Sequence, residues 1–190
     1  KEAEDVGFAR EVISLIPDFL ECDNVLGIGE IGLNKNSKNE LIILEEQLAL
    51  AEKLNQLVLV HTPHLEDKLK GTQLIMDAIE NTNLQHDRVL IDHVEEHTIG
   101  DVLDRGFWAG MTLYPDTKCT PQRAADIIEM HGTERLWINS AGDWGPSDPL
   151  AVPKCRVELA SRGHSPTLID TISFRNPQAF LSQSGKFSIE

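Results

Sequence analysis

Short apolar segments alternate with amphipathic segments five times along this chain, and this alternation constrains the fold more than any other feature. Each apolar segment has the length and residue types of a buried strand, and the segments between them carry apolar residues at helical spacing. The strands are predicted at 25–31, 57–61, 88–93, 107–113 and 135–139. Strands and helices in this order are typical of a parallel sheet with both faces covered by helices. The sequence therefore predicts an α/β fold.

The predicted helices fill the segments around these strands. They are expected at 8–20, 40–54, 65–79, 98–105, 121–130, 150–162, 167–172 and 177–181. Pro17 is expected to interrupt the first helix, Asn39 to cap the second, and Pro121 to open the fifth. The sequence contains no linker, internal repeat or low-complexity segment. Residues 1–190 are therefore predicted to form a single domain.

The charge balance is strongly acidic and argues against a polyanionic partner. The 190 residues include 17 basic and 31 acidic side chains, a net charge of -14. Such a surface repels nucleic acid at long range, so nucleic acid is a disfavoured partner.

The cysteine content and the apolar stretches indicate the setting of the protein. The sequence has an odd number of cysteines and no C-x-x-C pair, which favours a reducing, cytoplasmic setting; the cysteines are Cys22, Cys119 and Cys155. No apolar stretch approaches the ~20 residues of a membrane span.

Four of the five predicted strands lead into a side chain that can bind a metal ion. These side chains are Glu30, His61, His93 and Asp143. In a (β/α)8 barrel the carboxyl ends of the strands surround the active site, so we expect the four side chains to converge. Carboxylates and imidazoles are the ligands of catalytic zinc, manganese and similar ions. The sequence therefore predicts a divalent metal site, at which Asp143 also accepts the proton of an activated water.

Several neighbouring residues have two possible roles. His64 either contacts an anionic group of the substrate or lies in a solvated loop. Glu96 either accepts a hydrogen bond from a ligand histidine or faces solvent. Asp148 either acts at the site or caps the next helix, and Cys119 is either a nucleophile or an incidental thiol. Asp92 is expected to point away from His93, since side chains alternate along a strand.

The motifs at these strand ends resemble those of a known family. GEIGLN at 29–34, HTP at 61–63 and the ends at His93 and Asp143 resemble the TatD-like metal-dependent hydrolases of the amidohydrolase superfamily. The resemblance implies a (β/α)8 TIM barrel with one or two divalent metal ions, for which zinc, manganese and magnesium are the candidates. It also implies hydrolysis of ester or phosphoester bonds, and some members of the family are DNA exonucleases.

Applied residue by residue, the resemblance implies a set of roles. Glu30, His61, His93 and Asp143 would be metal ligands, Glu30 would bridge two ions, and Asp143 would be the general base. The match extends from about residue 25 to the NPQAF segment at 176–180.

Three features depart from the family pattern. The H-x-H pair of the family's opening strand is absent from this sequence. Five strands leave three of the eight unaccounted for, and a complete barrel needs ~250 residues, so we expect the chain to represent the C-terminal part of a barrel. The last predicted strand, 135–139, leads into NSAGDWGPSDP in this sequence. In the family, this strand usually ends with ETD followed by a small residue and proline. Pro63 and His64 replace the arginine that usually follows the metal-binding histidine strand.

Three functions are compatible with these features. The leading interpretation is a metal-dependent hydrolase that uses a metal-activated water on a small ester, amide or phosphoester substrate. The second is a TatD-type DNA exonuclease, against which the acidic balance counts. The third is a metal-binding or structural barrel fragment that acts in an assembly, because an open barrel exposes strand edges that could pair with another chain. An oligomer is compatible with all three interpretations.

Overall fold

Five strands alternate with helices, as the sequence predicts. Residues 2–64, 67–115, 117–142 and 146–189 are described by a computed structural model. The strands are β1 (Gly27–Gly32), β2 (Leu57–His61), β3 (Val89–Asp92), β4 (Trp108–Leu113) and β5 (Leu136–Ser140). They belong to one sheet in the order β1-β2-β3-β4-β5, and the β1–β2 and β4–β5 pairs are parallel. The predicted α/β fold is confirmed.

The described residues form nine α-helices, one more than the eight predicted, because the predicted helix 8–20 is divided into two; the ends of the others also differ. They are α1 (Val6–Ile13), α2 (Ile16–Leu20), α3 (Lys38–Leu54), α4 (Lys68–Glu80), α5 (Ile99–Asp104), α6 (Pro121–His131), α7 (Ala151–Ser161), α8 (Pro166–Asp170) and α9 (Asn176–Ser182). Short 3-10 turns occupy Glu2–Glu4 and His86–Arg88, and a π-helical turn at Thr171–Arg175 joins α8 to α9. Within the described residues, no helix combines the length and apolarity needed to cross a bilayer.

The chain divides into two compact units. The first contains the described residues of 1–90 and 181–190. In this unit β1 pairs with β2, and α3 lies against β1 and β2. The buried face of α3 includes Leu44, Leu48 and Ala51, whose spacing places one side chain per turn toward the strands. Lys186 donates hydrogen bonds to the carbonyls of Leu20 and Cys22, which ties the end of the chain to the end of α2.

The structure corrects the predicted start of α3. Ser37 caps this helix, and Asn39 lies inside its first turn. The Glu40 backbone N–H donates to the Ser37 hydroxyl over 3.3 Å, and the Ser37 N–H donates to the Glu40 carboxylate over 3.0 Å. This reciprocal capping box satisfies two backbone donors at once, which a cap at Asn39 would not do.

Two other helix starts also differ from the prediction. Pro17 lies in the first turn of α2, where its missing N–H costs no hydrogen bond, so it helps to start that helix after a break. Helix α4 begins at Lys68, because the Asp67 carboxylate accepts a hydrogen bond from the Lys70 N–H. Leu65, the predicted start of α4, lies outside the described residues.

The second unit contains the described residues of 91–180. Here β4 and β5 pair in parallel, and α6 packs against α7. Thr120 caps α6 and Pro121 lies in its first turn, as predicted. Trp108, Trp137 and Phe180 form an aromatic cluster with ring centroids 5.2–6.0 Å apart. This cluster fills the core of the unit with tilted and edge-to-face contacts.

Candidate metal centre

Glu30 lies near the carboxyl end of β1, where the strand is irregular. The pairing with β2 shifts register between Ile28 and Ile31. As a result two successive residues, Gly29 and Glu30, are both exposed, where a regular strand would bury one of them. An irregularity of this kind redirects side chains at the end of a strand. It gives the Glu30 carboxylate the exposed position that a ligand needs.

His61 ends β2 and is paired with Gly32 of β1. A Cβ atom added at Gly29 would lie 2.7 Å from the Leu59 Cβ, and one added at Gly32 would overlap the His61 carbonyl oxygen. The glycines of β1 therefore allow its backbone to approach β2 closely. The sequence predicted the position of His61 correctly, and its role as a ligand stays a prediction.

His64 lies in a bend that follows β2. Its side chain is exposed, and the preceding residues Thr62 and Pro63 are buried. This placement near the carboxyl end of a strand is compatible with either role considered for His64. Contact with a substrate anion therefore stays a prediction.

His93 is the first residue after β3 and has a left-handed backbone conformation, with φ of 63°. Such a conformation is uncommon outside glycine and ends the alternation of side chains along a strand. The Asp92 carboxylate consequently lies beside the imidazole, with Oδ2 3.7 Å from the His93 Nδ1. The prediction that Asp92 points away from His93 is wrong for this reason.

The Asp92 carboxylate is the centre of a buried hydrogen-bond network and is only 7% exposed. Its Oδ1 accepts hydrogen bonds from the His93 N–H over 2.7 Å and from the Thr112 hydroxyl over 3.1 Å. The Asn139 side-chain amide donates to both oxygens, over 3.0 and 3.1 Å. A Cβ added at Gly110 would overlap Oδ1, so this glycine makes room for the carboxylate.

Sequence reasoning missed Thr112, Asn139 and Lys118. Thr112 and Asn139 are paired residues of β4 and β5, and each is a polar residue that follows an apolar run in its strand. That interruption of the apolar pattern was the available signal. Lys118 follows β4, and its Nζ lies 3.1 Å from the His93 Nε2 and 5.9 Å from the centroid of the Tyr114 ring. No local pattern in the sequence connects Lys118 to His93.

Glu96 takes the second of its two predicted roles and faces solvent, with 44% of its side chain exposed. Its carboxylate accepts hydrogen bonds from the Arg123 guanidinium over 2.6 and 2.7 Å. These bonds from Arg123 lower the pKa of the Glu96 carboxyl below its usual value. Glu96 is therefore part of a surface ion pair.

Asp148 does not cap the next helix, and Cys119 takes the less reactive of its predicted roles. Leu150 is the N-cap residue of α7, and no described side chain caps this helix. The Asp148 carboxylate accepts hydrogen bonds from the Leu150 N–H over 3.0 Å and from the Lys154 ammonium over 2.5 Å. Cys119 is buried, and its burial raises the pKa of the thiol to about 12. The thiol is therefore protonated at neutral pH, which argues against a nucleophile. Asp143, the fourth predicted ligand, lies outside the described residues.

The donor types at the end of β3 suit a divalent metal ion. Asp92 and His93 each offer a ligand atom, and these atoms lie within 4.8 Å of each other. A carboxylate oxygen and an imidazole nitrogen are common ligands of zinc and manganese. The hydrogen bonds to Asp92 and to the His93 ring are of the kind that orient metal ligands in proteins. Asp92 and His93 therefore offer ligand types that fit the divalent metal ion predicted from the sequence.

Comparison with known proteins gives one curated relative. No family model matches the chain. The relative, an uncharacterized metal-dependent hydrolase from Methanocaldococcus jannaschii, is 29% identical over 169 residues, which cover 89% of this chain and 66% of the relative. The chain is therefore similar in sequence to a metal-dependent hydrolase and spans just under two thirds of its length.

Similar solved structures include a TatD-like protein from Archaeoglobus fulgidus. It has a TM-score of 0.68 and 27% sequence identity, and the match covers 89% of this chain and 65% of that protein. The phosphotriesterase homology protein from Escherichia coli, solved with phosphate in its active site, has a TM-score of 0.71 at 14% identity and covers 91% of this chain and 67% of that protein. The fold is thus that of the TIM-barrel-like TatD and phosphotriesterase-type hydrolases.

Proposed function

We propose that the chain is part of a TatD-like hydrolase that holds one or two divalent ions. The proposed ligands are the four residues predicted from the sequence, Glu30, His61, His93 and Asp143. The observation that carries the proposal is the hydrogen-bonded imidazole of His93 at the carboxyl end of β3, with the Asp92 carboxylate beside it. Similarity to a metal-dependent hydrolase across 89% of the chain supports the same function.

In the proposed reaction the metal ion and the residues of the chain have different roles. When bound, a divalent ion acts as a Lewis acid that activates water and polarises the scissile bond. The imidazoles and carboxylates of the chain hold the ion, and the Asp143 carboxylate accepts the proton of the attacking water. His64 contacts an anionic group of the substrate. We propose small esters, amides or phosphoesters as substrates, because the net charge of -14 disfavours a nucleic-acid polymer.

The test compares metal-free and reconstituted protein on a panel of chromogenic substrates. The protein is stripped with a chelator and then assayed with zinc, manganese or magnesium on a p-nitrophenyl ester, an anilide and a p-nitrophenyl phosphodiester. Hydrolysis of at least one substrate is expected only after metal is restored. Asp143→Asn is expected to lower kcat by about 10²- to 10⁴-fold, because the general base is lost.

Asp148→Asn is the matched control, because it removes the same charge five residues further along the chain, from a carboxylate that pairs with Leu150 and Lys154. It should retain the turnover of the unmodified protein. Turnover that survives complete metal removal, or that is unchanged in Asp143→Asn, would contradict the proposed function.

A further inference from the structure

We propose that Asp92 and Thr112 are positioning residues that hold His93 in one tautomer. In this tautomer Nδ1 carries the proton and Nε2 presents its lone pair as the metal ligand atom. The use of that lone pair for a divalent ion rests on the proposed function, whereas the tautomer follows from hydrogen bonds within the second unit.

The first step concerns the direction of the hydrogen bond between Thr112 and Asp92. The Asp92 carboxylate already accepts from a backbone N–H, which is an obligatory donor, and from the amide of Asn139. An ionised carboxylate offers only acceptors. The Thr112 hydroxyl, 3.1 Å from Oδ1, therefore donates its single proton to Asp92.

The second step concerns the bond between Thr112 and His93. The Thr112 Oγ1 lies 2.6 Å from the His93 Nδ1. Since the hydroxyl proton is directed to Asp92, Oγ1 is available only as an acceptor for the imidazole. Nδ1 must then carry the proton, and in a neutral ring the lone pair is on Nε2.

The position of Lys118 does not by itself distinguish the two tautomers, but it is compatible with this one. Its ammonium group has only donors, and its Nζ lies 3.1 Å from the His93 Nε2 and 3.2 Å from the Nδ1. Because Nδ1 donates its proton to Thr112, the ammonium can donate only to the lone pair on Nε2. Because one lone pair serves one partner, an ion bound at Nε2 would replace the Lys118 ammonium on that atom.

A fixed tautomer has a consequence for metal binding. A histidine free to exchange tautomers and ring orientations must be ordered when the ion binds, which weakens affinity. Loss of a partner that orients a ligand histidine typically costs about 10- to 100-fold in metal affinity. We expect Thr112→Val, which keeps the shape of the side chain and removes the hydroxyl, to weaken Zn²⁺ binding by about this factor.

The experiment measures the tautomer directly in the metal-free full chain. Long-range ¹H–¹⁵N correlation spectra in mildly alkaline buffer distinguish a protonated Nδ1 from a protonated Nε2. The unmodified protein should show the Nδ1–H form at His93. Thr112→Val and Asp92→Asn should lose this preference, and Thr112→Ser, which keeps the hydroxyl, should restore it. Thr72→Val is the matched control, because Thr72 is also buried and donates to a backbone carbonyl in α4.

Affinity for Zn²⁺ is then measured by calorimetry on the same variants, after circular dichroism has verified that each is folded. A proton on Nε2 of His93 in the unmodified protein would overturn the proposal, even if Zn²⁺ binds. An unchanged tautomer in both Thr112→Val and Asp92→Asn would also overturn it. Failure of the unmodified protein to bind Zn²⁺ while His93 shows the Nδ1–H form would overturn the proposed function and leave the tautomer assignment supported.

Discussion

The carboxyl ends of β1 and β3 both carry a predicted metal ligand, but they are shaped by different forces. At the end of β1, glycines allow the backbone to approach β2 so closely that an added Cβ at Gly32 would overlap the His61 carbonyl oxygen. At the end of β3, side-chain hydrogen bonds converge on Asp92 and on the His93 ring. The first end is defined by backbone sterics and the second by a polar network.

This difference predicts two kinds of response to substitution. A backbone overlap has no flexible group that can move, so a change at the end of β1 is expected to affect the stability of the fold. A polar network can lose one member while the strands remain paired, so a change at the end of β3 is expected to affect metal binding first.

The largest expected effect is on stability, from Gly32→Ala. The new Cβ meets the His61 carbonyl, and relieving the overlap requires β1 and β2 to separate. Overpacking of this kind costs about 3 kcal/mol of unfolding free energy. The measurement is urea unfolding followed by circular dichroism. Gly100→Ala is the control, because its Cβ makes only an ordinary contact at 3.7 Å, and a result equal to this control would show that β1 tolerates a side chain there.

The second effect is on metal affinity, from Gly110→Ala. Here the added Cβ meets the side chain of Asp92. Because a carboxylate can rotate away, we expect a cost in stability of about 1 kcal/mol and a loss of about tenfold in Zn²⁺ affinity. Calorimetric titration and urea unfolding on the same preparation separate the two quantities. A large loss of stability in Gly110→Ala with unchanged Zn²⁺ affinity would contradict the expectation that substitutions at the end of β3 affect metal binding before stability.

The smallest effect concerns Glu40, which fixes the loop after β1. Its carboxylate accepts backbone hydrogen bonds from Asn34, Lys35 and Ser37. Burial acts to raise the pKa of this carboxyl, but the hydrogen bonds outweigh it and the pKa is lowered. Glu40→Gln is expected to cost about 1 kcal/mol at neutral pH.

A lowered pKa in the folded state fixes the sign of the pH dependence. The carboxylate contributes its stability above the unfolded value near 4.5 and loses it as the pH falls through the folded value. The difference in unfolding free energy between Glu40→Gln and the unmodified protein should therefore shrink as the pH falls below the unfolded value of 4.5. A difference that stays constant with pH would show that the hydrogen bonds to the charged form contribute nothing.

The strands and three of the predicted ligand positions could be read from the sequence because hydrophobic periodicity reports burial. His61 and His93 lie at or next to a strand end, as expected, and Glu30 lies two residues before the end of β1. The orientation of Asp92 could not be read in this way. The alternation rule assumes a regular strand, and the left-handed conformation of His93 breaks it.

The polar partners of His93 were missed for another reason. Thr112 and Lys118 come from the strand and loop that follow in the chain, 19 and 25 residues away. Their contacts depend on tertiary structure, which local patterns do not encode. The cap at Ser37, in contrast, was readable, since serine three residues before Glu40 is a capping-box signature.

The most direct test of the central claim is the Zn²⁺ affinity and stoichiometry of the unmodified protein and of His93→Ala, measured by calorimetry after chelator treatment. His86→Ala, which changes a histidine of a short 3-10 turn, is the control. We predict that the unmodified protein and the control bind one or two ions with the same affinity, and that His93→Ala binds at least about tenfold more weakly. Absence of Zn²⁺ binding, or equal binding by all three proteins, would contradict a metal centre at the end of β3.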